Sequence, residues 1–306
     1  MQRIYDERPL IPRQPFNVFV SYVLEVGRSE EAAAYWRSCF DGAEFAPFPA
    51  LPAGIREPEA DTVVHQQYDR SKFAQAGGIT MSTIVRAALA IALGRHSSSD
   101  DVIFGTTVWG RSAPVDGLEG INGPTFVTVP MRAKIESSIP VAQFLETMQQ
   151  AGTDMMPYEH MGLQGIAKLS EDARRAAEFQ TLLIINPEGS DMESTSAFGK
   201  WETVSGVEAF STYAVTLNCS LGEQSIKIDA GFDSRIIDSW SVRQLMDQLD
   251  QNISQLVALA GSSGSTIADI DGLSAMDKSL LATWNKELPS PKEEPTRNLE
   301  QGASVS

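Results

Sequence analysis

No segment of this sequence limits the possible folds as tightly as Asp101–Arg132, DVIFGTTVWGRSAPVDGLEGINGPTFVTVPMR. Asp101–Trp109 and Thr125–Ala133 are dense in β-branched and aromatic residues, while the stretch between them is rich in glycine and proline. Branched side chains suit pleated backbone, and glycine and proline interrupt it. The run therefore predicts two strands joined by a loop.

The rest of the chain supplies elements of alternating type. Ser29–Phe40 predicts a helix with Ser29 as cap, Glu30 and Glu31 in its first turn and Gly42 after its end. Ile79–His96 predicts another, capped by Thr80 or Ser82, with Ile84, Ala88, Ile91 and Ala92 at helical spacing. Pro140–Met156 and Ser239–Ala260 follow. The second carries an apolar stripe of Val242, Leu245, Met246, Leu249, Ile253, Leu256 and Val257 that reads as core packing. Strands are expected at Thr62–Tyr68, Phe179–Ile185, Tyr213–Leu221 and Ser225–Phe232, the last two as a hairpin through Gly222 and Glu223. FQTLLII at Phe179–Ile185 is nearly all apolar, as for a strand buried on both faces. Phe16–Val26 is rich in Val, Phe and Tyr and reads as a strand or buried segment. Pro47–Pro58 reads as an irregular connection. Alternating helices and strands imply a layered α/β domain.

Composition excludes several classes. The net charge of −16 argues against a nucleic-acid binder, which needs basic patches to neutralise phosphates. The two cysteines, Cys39 and Cys219, form no metal-binding spacing and no disulfide scaffold, so no metal site is expected. No run reaches the ~18 apolar residues of a membrane span, and the N-terminus lacks a signal-peptide core. A cytoplasmic protein without membrane contact is the expectation.

Candidate chemistry is sparse. His65 and His96 each begin a His-x-x-x-Asp pattern, ending at Asp69 and Asp100, but two fixed positions in five specify little. His65 lies on a predicted strand. His96 ends a helix, where a partly positive imidazole complements the dipole. His160, in the loop Tyr158-Glu159-His160 after a helix, is the best placed to line a cleft, and these three residues are the candidate site. No Gly-x-Ser-x-Gly elbow, phosphate-binding loop or dinucleotide fingerprint is present. Gly77-Gly78-Ile79-Thr80 places a threonine where a carrier attachment site needs serine.

Taken in order, several segments resemble the condensation domains of nonribosomal peptide synthetases, especially fungal ones. Tyr35-Trp36 is similar to the Tyr-Trp pair of the helix linking that family's two halves. Asp101–Arg111 resembles the strand and Gly-Arg turn that follow its next long helix. Gly117-Leu118-Glu119 resembles its G-[IL]-E loop, and Gly123-Pro124 with Thr128, Pro130 and Arg132 matches G-P-x-x-x-T-x-P-x-R. Tyr158–Leu163 resembles Y-[QE]-H-x-P-F, departing at Gly162 and Leu163. Phe179-Gln180, Phe232-Asp233 and Leu280–Asn285 are similar to its next core strand, its last strand and the junction before an adenylation domain.

The resemblance implies a chloramphenicol-acetyltransferase-like half-domain, a mixed sheet with flanking helices. Residues 1–272 would be the C-terminal half of a condensation domain and 273–306 a linker toward an absent adenylation domain. In the family, two halves form a V, and an acceptor amine attacks a donor thioester. The substrates arrive on the phosphopantetheine of a carrier protein, with no cofactor bound directly. The catalytic histidine comes from HHxxxDG in the N-terminal half, which this sequence lacks, so neither His-x-x-x-Asp copy inherits its role. The expected function is a component of condensation-type acyl or peptidyl transfer, inactive alone. Its partners would be a carrier protein and a chain supplying the N-terminal half. The alternatives are a non-catalytic carrier-docking module and a self-sufficient acyltransferase using one of the three histidines. A half-domain uncovers apolar surface. Sedimentation should therefore reveal concentration-dependent self-association, and a clean monomer at high concentration would count against the half-domain reading.

Overall fold

The computed structural model describes residues 14–69, 78–186, 211–222, 224–262, 264–273 and 275–287. Gly77, Glu223 and the polar segment 289–306 lie outside the described residues. The chain divides into two compact units, 1–272 and 273–306.

The first unit is built on one six-stranded sheet, β1 (Thr62–Asp69), β2 (Asp101–Val108), β3 (Val127–Lys134), β4 (Thr181–Asn186), β5 (Val215–Leu221) and β6 (Ser225–Phe232). Its spatial order is β1-β6-β5-β4-β2-β3. β2, β4 and β5 run parallel, and the remaining pairs are antiparallel. β2 and β3 are the two strands expected from the opening run, and they pair antiparallel with Thr107 opposite Thr128 and Asp101 opposite Lys134. β4 is the apolar strand at the centre, with parallel neighbours on both sides.

Helices are α1 (Phe16–Val26), α2 (Glu30–Phe40), α3 (Met81–Ser97), α4 (Val141–Met155), α5 (Gly162–Ile166), α6 (Glu171–Ala176) and α7 (Ser239–Leu259). α3 is a buried central rod in which every residue from Ala87 to Leu93 is sequestered. It packs with α4 and the apolar stripe of α7 on one face of the sheet, against Phe104, Leu183, Leu217 and Phe232. On the other face, Ile103 of β2 meets Trp36 and Phe40 of α2 together with Ile166, Ala173 and Ala176. Thus Val102 and Phe104 face one layer and Ile103 the other, the two-residue alternation of a strand between two layers.

Caps follow the sequence. Ser29 accepts from the Ala32 amide, and Thr80, rather than Ser82, accepts from that of Thr83. One reading is corrected: Phe16–Val26 is helical. Its β-rich composition favours a strand locally, but Phe19 is buried with Leu118 and Ile121, and that packing is satisfied by a helical face. The second unit contains α8 (Ala275–Glu287), on which Trp284 is exposed.

Arg132, from the G-P-x-x-x-T-x-P-x-R match, ties three elements together. Its guanidinium makes a two-pronged ion pair with Asp101, at 2.8 and 2.6 Å, joining β3 to β2. It also donates to the carbonyls of Cys39, Asp41 and Gly42, which close the end of α2. Carbonyls at a helix C-terminus lack partners within the helix, so this one side chain supplies them. Arg132→Met should cost about 3–5 kcal/mol in urea unfolding, because Asp101 is left largely buried and unpaired. A loss below about 1 kcal/mol would deny Arg132 this role.

Candidate functional site

The carboxyl ends of parallel strands leave a crevice, because the connecting segments diverge to either side of the sheet. Here the ends of β2 and β4 open into a cleft of about 270 Å³, with Thr107, Val108, Trp109 and Ile185 on the sheet side. Ser82 and Arg86 of α3 form a second wall, and Gly152, Met155, Met156 and Glu159 a third.

The turn after β2 is fixed by hydrogen bonds. The Trp109 indole donates to the Ile185 carbonyl at 3.0 Å, and the Thr125 hydroxyl donates to the Trp109 carbonyl at 2.7 Å. Arg111 donates to the Leu118 carbonyl, holding the loop that leads to β3. Gly110 adopts φ +64°, and a side chain there would collide with the Thr125 carbonyl and lie 2.5 Å from His160 Cε1. Glycine is thus required for conformation and for space.

Tyr158, Glu159 and His160 are adjacent but do different things. They form a short 3₁₀ turn, where the sequence reading expects a loop. The Tyr158 hydroxyl donates to Glu31, and its ring stacks on Tyr35. Its carbonyl accepts from the Trp36 indole, so the Tyr-Trp pair of α2 anchors this turn. His160 is 4% exposed. Its Nε2 donates to the Gly110 carbonyl at 3.2 Å, and its ring meets the edges of Phe19 and Tyr22 on α1. Burial lowers its pKa, which favours the neutral ring. It borders a wider cleft of about 650 Å³ where Leu24 (55% exposed) and Phe126 (60% exposed) face outward.

Glu159 points inward and is 2% exposed. Its Oε1 is buried without a hydrogen-bond partner, 3.5 Å from His160 Nε2. Burial raises its pKa from 4.5 to about 7, against an opposing pull from the Arg86 charge. The Nε of Arg86 is likewise buried and without a partner. No ion pair joins Arg86 to Glu159 among the described residues.

The other two histidines lie elsewhere. His65 is exposed on the edge strand β1, and it pairs across the sheet with Asp229 at 2.8 Å. His96, in the last turn of α3, packs on Phe48. The sequence reading overlooks Arg86. The available signal is a lone arginine inside the otherwise apolar run Ile84–Leu93, where an unpaired cation is costly. Among the described residues there is no cluster of metal-ligating side chains, and no helix is long and apolar enough to cross a membrane.

A mixed six-stranded sheet flanked by helices, with a crevice at its parallel centre, defines a chloramphenicol-acetyltransferase-like fold. The chain belongs to the condensation-domain family, whose model matches residues 3–278. It is 38% identical over 275 residues to nonribosomal peptide synthetase TES of Alternaria alternata, covering 90% of this chain and 5% of that protein. It is 40% identical over 296 residues to nonribosomal peptide synthetase dtxS1 of Metarhizium robertsii, covering 95% of this chain and 4% of that protein. The chain thus spans about one-twentieth of the length of these curated relatives. Among solved structures, it is similar to the first condensation domain of the calcium-dependent antibiotic synthetase in complex with a substrate analogue. That match has a TM-score of 0.63 at 15% identity and covers 89% of this chain and 62% of the other.

The buried carboxyl has a measurable signature. A folded-state pKa raised from 4.5 to about 7 means that the native protein retains a proton that the unfolded chain releases. The associated stability is fully present below about pH 4.5 and is lost as pH rises through about 7. Glu159→Gln has no such loss, so above pH 7 it should be more stable than the parent by about 2–3 kcal/mol relative to their difference at low pH. Urea unfolding of both proteins from pH 5 to 8 measures this. Parallel profiles would place Glu159 in water rather than in a dry site.

Proposed function

We propose that residues 1–272 supply the C-terminal half of a condensation site that forms an amide bond between carrier-bound substrates, and that the catalytic histidine comes from outside this chain. Family membership supports the reaction class. The observation that carries the second part is the engagement of all three histidines. His160 spends Nε2 on the Gly110 carbonyl, His65 lies exposed on an edge strand against Asp229, and His96 packs on Phe48 at a helix end. None stands as a general base in an open cleft, which would require reach to a substrate proton.

On this reading the Trp109–Arg111 turn, Glu159 and the walls of the two clefts orient substrate, and His160 and Tyr158 hold the turn that presents Glu159. Substrates come on the phosphopantetheine of carrier proteins, and residues 273–306 are a linker toward an adenylation domain. Orientation alone gives large rate effects only when the reacting base is also in place.

The test supplies carrier proteins loaded with aminoacyl and peptidyl thioesters to the chain alone, and to the same chain joined to an N-terminal half bearing HHxxxDG. The chain alone should form no amide above background. The joined protein should turn over, and His65→Ala and His96→Ala should leave that rate within about twofold. Amide formation by the chain alone, abolished by any single histidine substitution, would overturn the proposal.

A further inference from the structure

Three ionisable side chains line the cleft at the ends of β2 and β4: Arg111 is exposed and donates to the Leu118 carbonyl, while Glu159 and Arg86 lie deeper and do not pair with each other. Glu159 is 2% exposed, its Oε1 3.5 Å from His160 Nε2 but without a hydrogen-bond partner, and the partly buried Arg86 lines the same space with its Nε buried and likewise without one. Leaving a buried donor or acceptor unmade costs about 1–3 kcal/mol, more for charged groups. Both groups line one cleft and feel each other's charge, yet no direct ion pair between them offsets that cost, and a group placed in the cleft can meet both. Charge dictates what that group is. A carboxylate accepts from N–H or ammonium, and a guanidinium, a donor only, needs a carbonyl or carboxylate oxygen. Val108, Trp109, Met155, Met156 and Ile185 give the cleft an apolar side, with the hydroxyls of Ser82, Thr107 and Ser112 also in its lining. A volume of about 270 Å³ suits one small amphiphilic group rather than a second chain.

We propose that this cleft receives the aminoacyl head of an acceptor substrate, its α-ammonium on Glu159, its carbonyl oxygen on Arg86 and its side chain on the Trp109–Met156 wall. The choice of an aminoacyl group rests on the condensation reading above, while the requirement for an amine beside a carbonyl rests on the two side chains alone. Glu159 and Arg86 are positioning residues here. They select an acceptor with a free amine over one already acylated, a discrimination that a site with a buried polar partner makes strongly because the wrong ligand leaves it unpaired.

Binding to the purified full chain tests this without any carrier, partner half or turnover, so its outcome is independent of the condensation assay. Three probes are titrated and followed by NMR: L-leucine amide, N-acetyl-L-leucine amide and isoamylamine. L-leucine amide should bind at least about tenfold more tightly than the other two, each of which lacks one of the paired groups. Glu159→Gln should erase the preference over the acetylated probe, and Arg86→Gln the preference over isoamylamine. Ser82→Leu, which fills one wall and leaves both charges in place, should weaken all binding and guards against loss through unfolding. Equal binding of the three probes, or unchanged selectivity in both charge variants, would overturn the proposal. Failure of L-leucine amide to shift any resonance of cleft residues would do so too.

Discussion

The site depends on one close approach, that of the Glu159–Met161 turn to the backbone at Gly110. No side chain fits between the Thr125 carbonyl, His160 and the Gly110 Cα. Because the space is clear, His160 reaches the Gly110 carbonyl and the 3₁₀ turn docks against the end of β2. That docking carries Glu159 into the interior beside Arg86 and closes one wall of the cleft. It also gives α1 a seat, since Phe19 and Tyr22 pack on the far side of the His160 ring. A histidine that first looks like chemistry therefore acts as a bracket, and the neighbour it displaces inward is a buried carboxyl with one oxygen left without a hydrogen-bond partner.

The sheet explains why the cleft lies where it does. Antiparallel neighbours can be joined without a crossover, but the parallel pairs β2·β4 and β4·β5 require crossovers that leave the strand ends uncovered. The β2 end is then shaped by the long Gly- and Pro-rich loop to β3, stitched down by Trp109, Thr125 and Arg111. Arg132 does the corresponding work at the opposite end of the hairpin, where Asp101 begins β2. The two halves of the opening motif thus anchor opposite ends of a single strand pair.

What could be read in the sequence was what local physics decides. The hairpin strands, the caps at Ser29 and Thr80, the α7 stripe and the central apolar strand β4 follow from branching, spacing and short polar side chains. α1 was not legible, because Val, Phe and Tyr favour a strand unless a partner surface selects otherwise, and that surface is assembled from residues 118–121 and His160. Strand order and parallel pairing are likewise set by distant contacts. At the site, the triplet Tyr158-Glu159-His160 could be picked out by its polar character, but its division of labour could not. Periodicity says that Arg86 is on a buried helix, and only the packed structure says that Glu159 stands near it.

That juxtaposition also bears on what a helix this apolar does with an arginine. α3 is buried along nearly its whole length and packs against the sheet, α4 and α7, so replacing Arg86 by an aliphatic residue of similar length would keep the packing and remove a desolvated charge. On stability alone the substitution is favourable, since buried ionic groups are often matched or exceeded by apolar ones. Arg95, about two and a half turns further along the same helix, shows the contrasting case: its guanidinium is tied to Asn252 and to the Ile270 carbonyl, and it locks α3 to α7. Arg86 makes no such tie among the described residues. Its Nε is buried without a hydrogen-bond partner among the described residues, and it lies within the field of the more deeply buried Glu159 carboxyl, a combination that burial penalises. An acceptor oxygen placed in the cleft would give this Nε the contact it lacks, and the proposed substrate pose assigns Arg86 that gain.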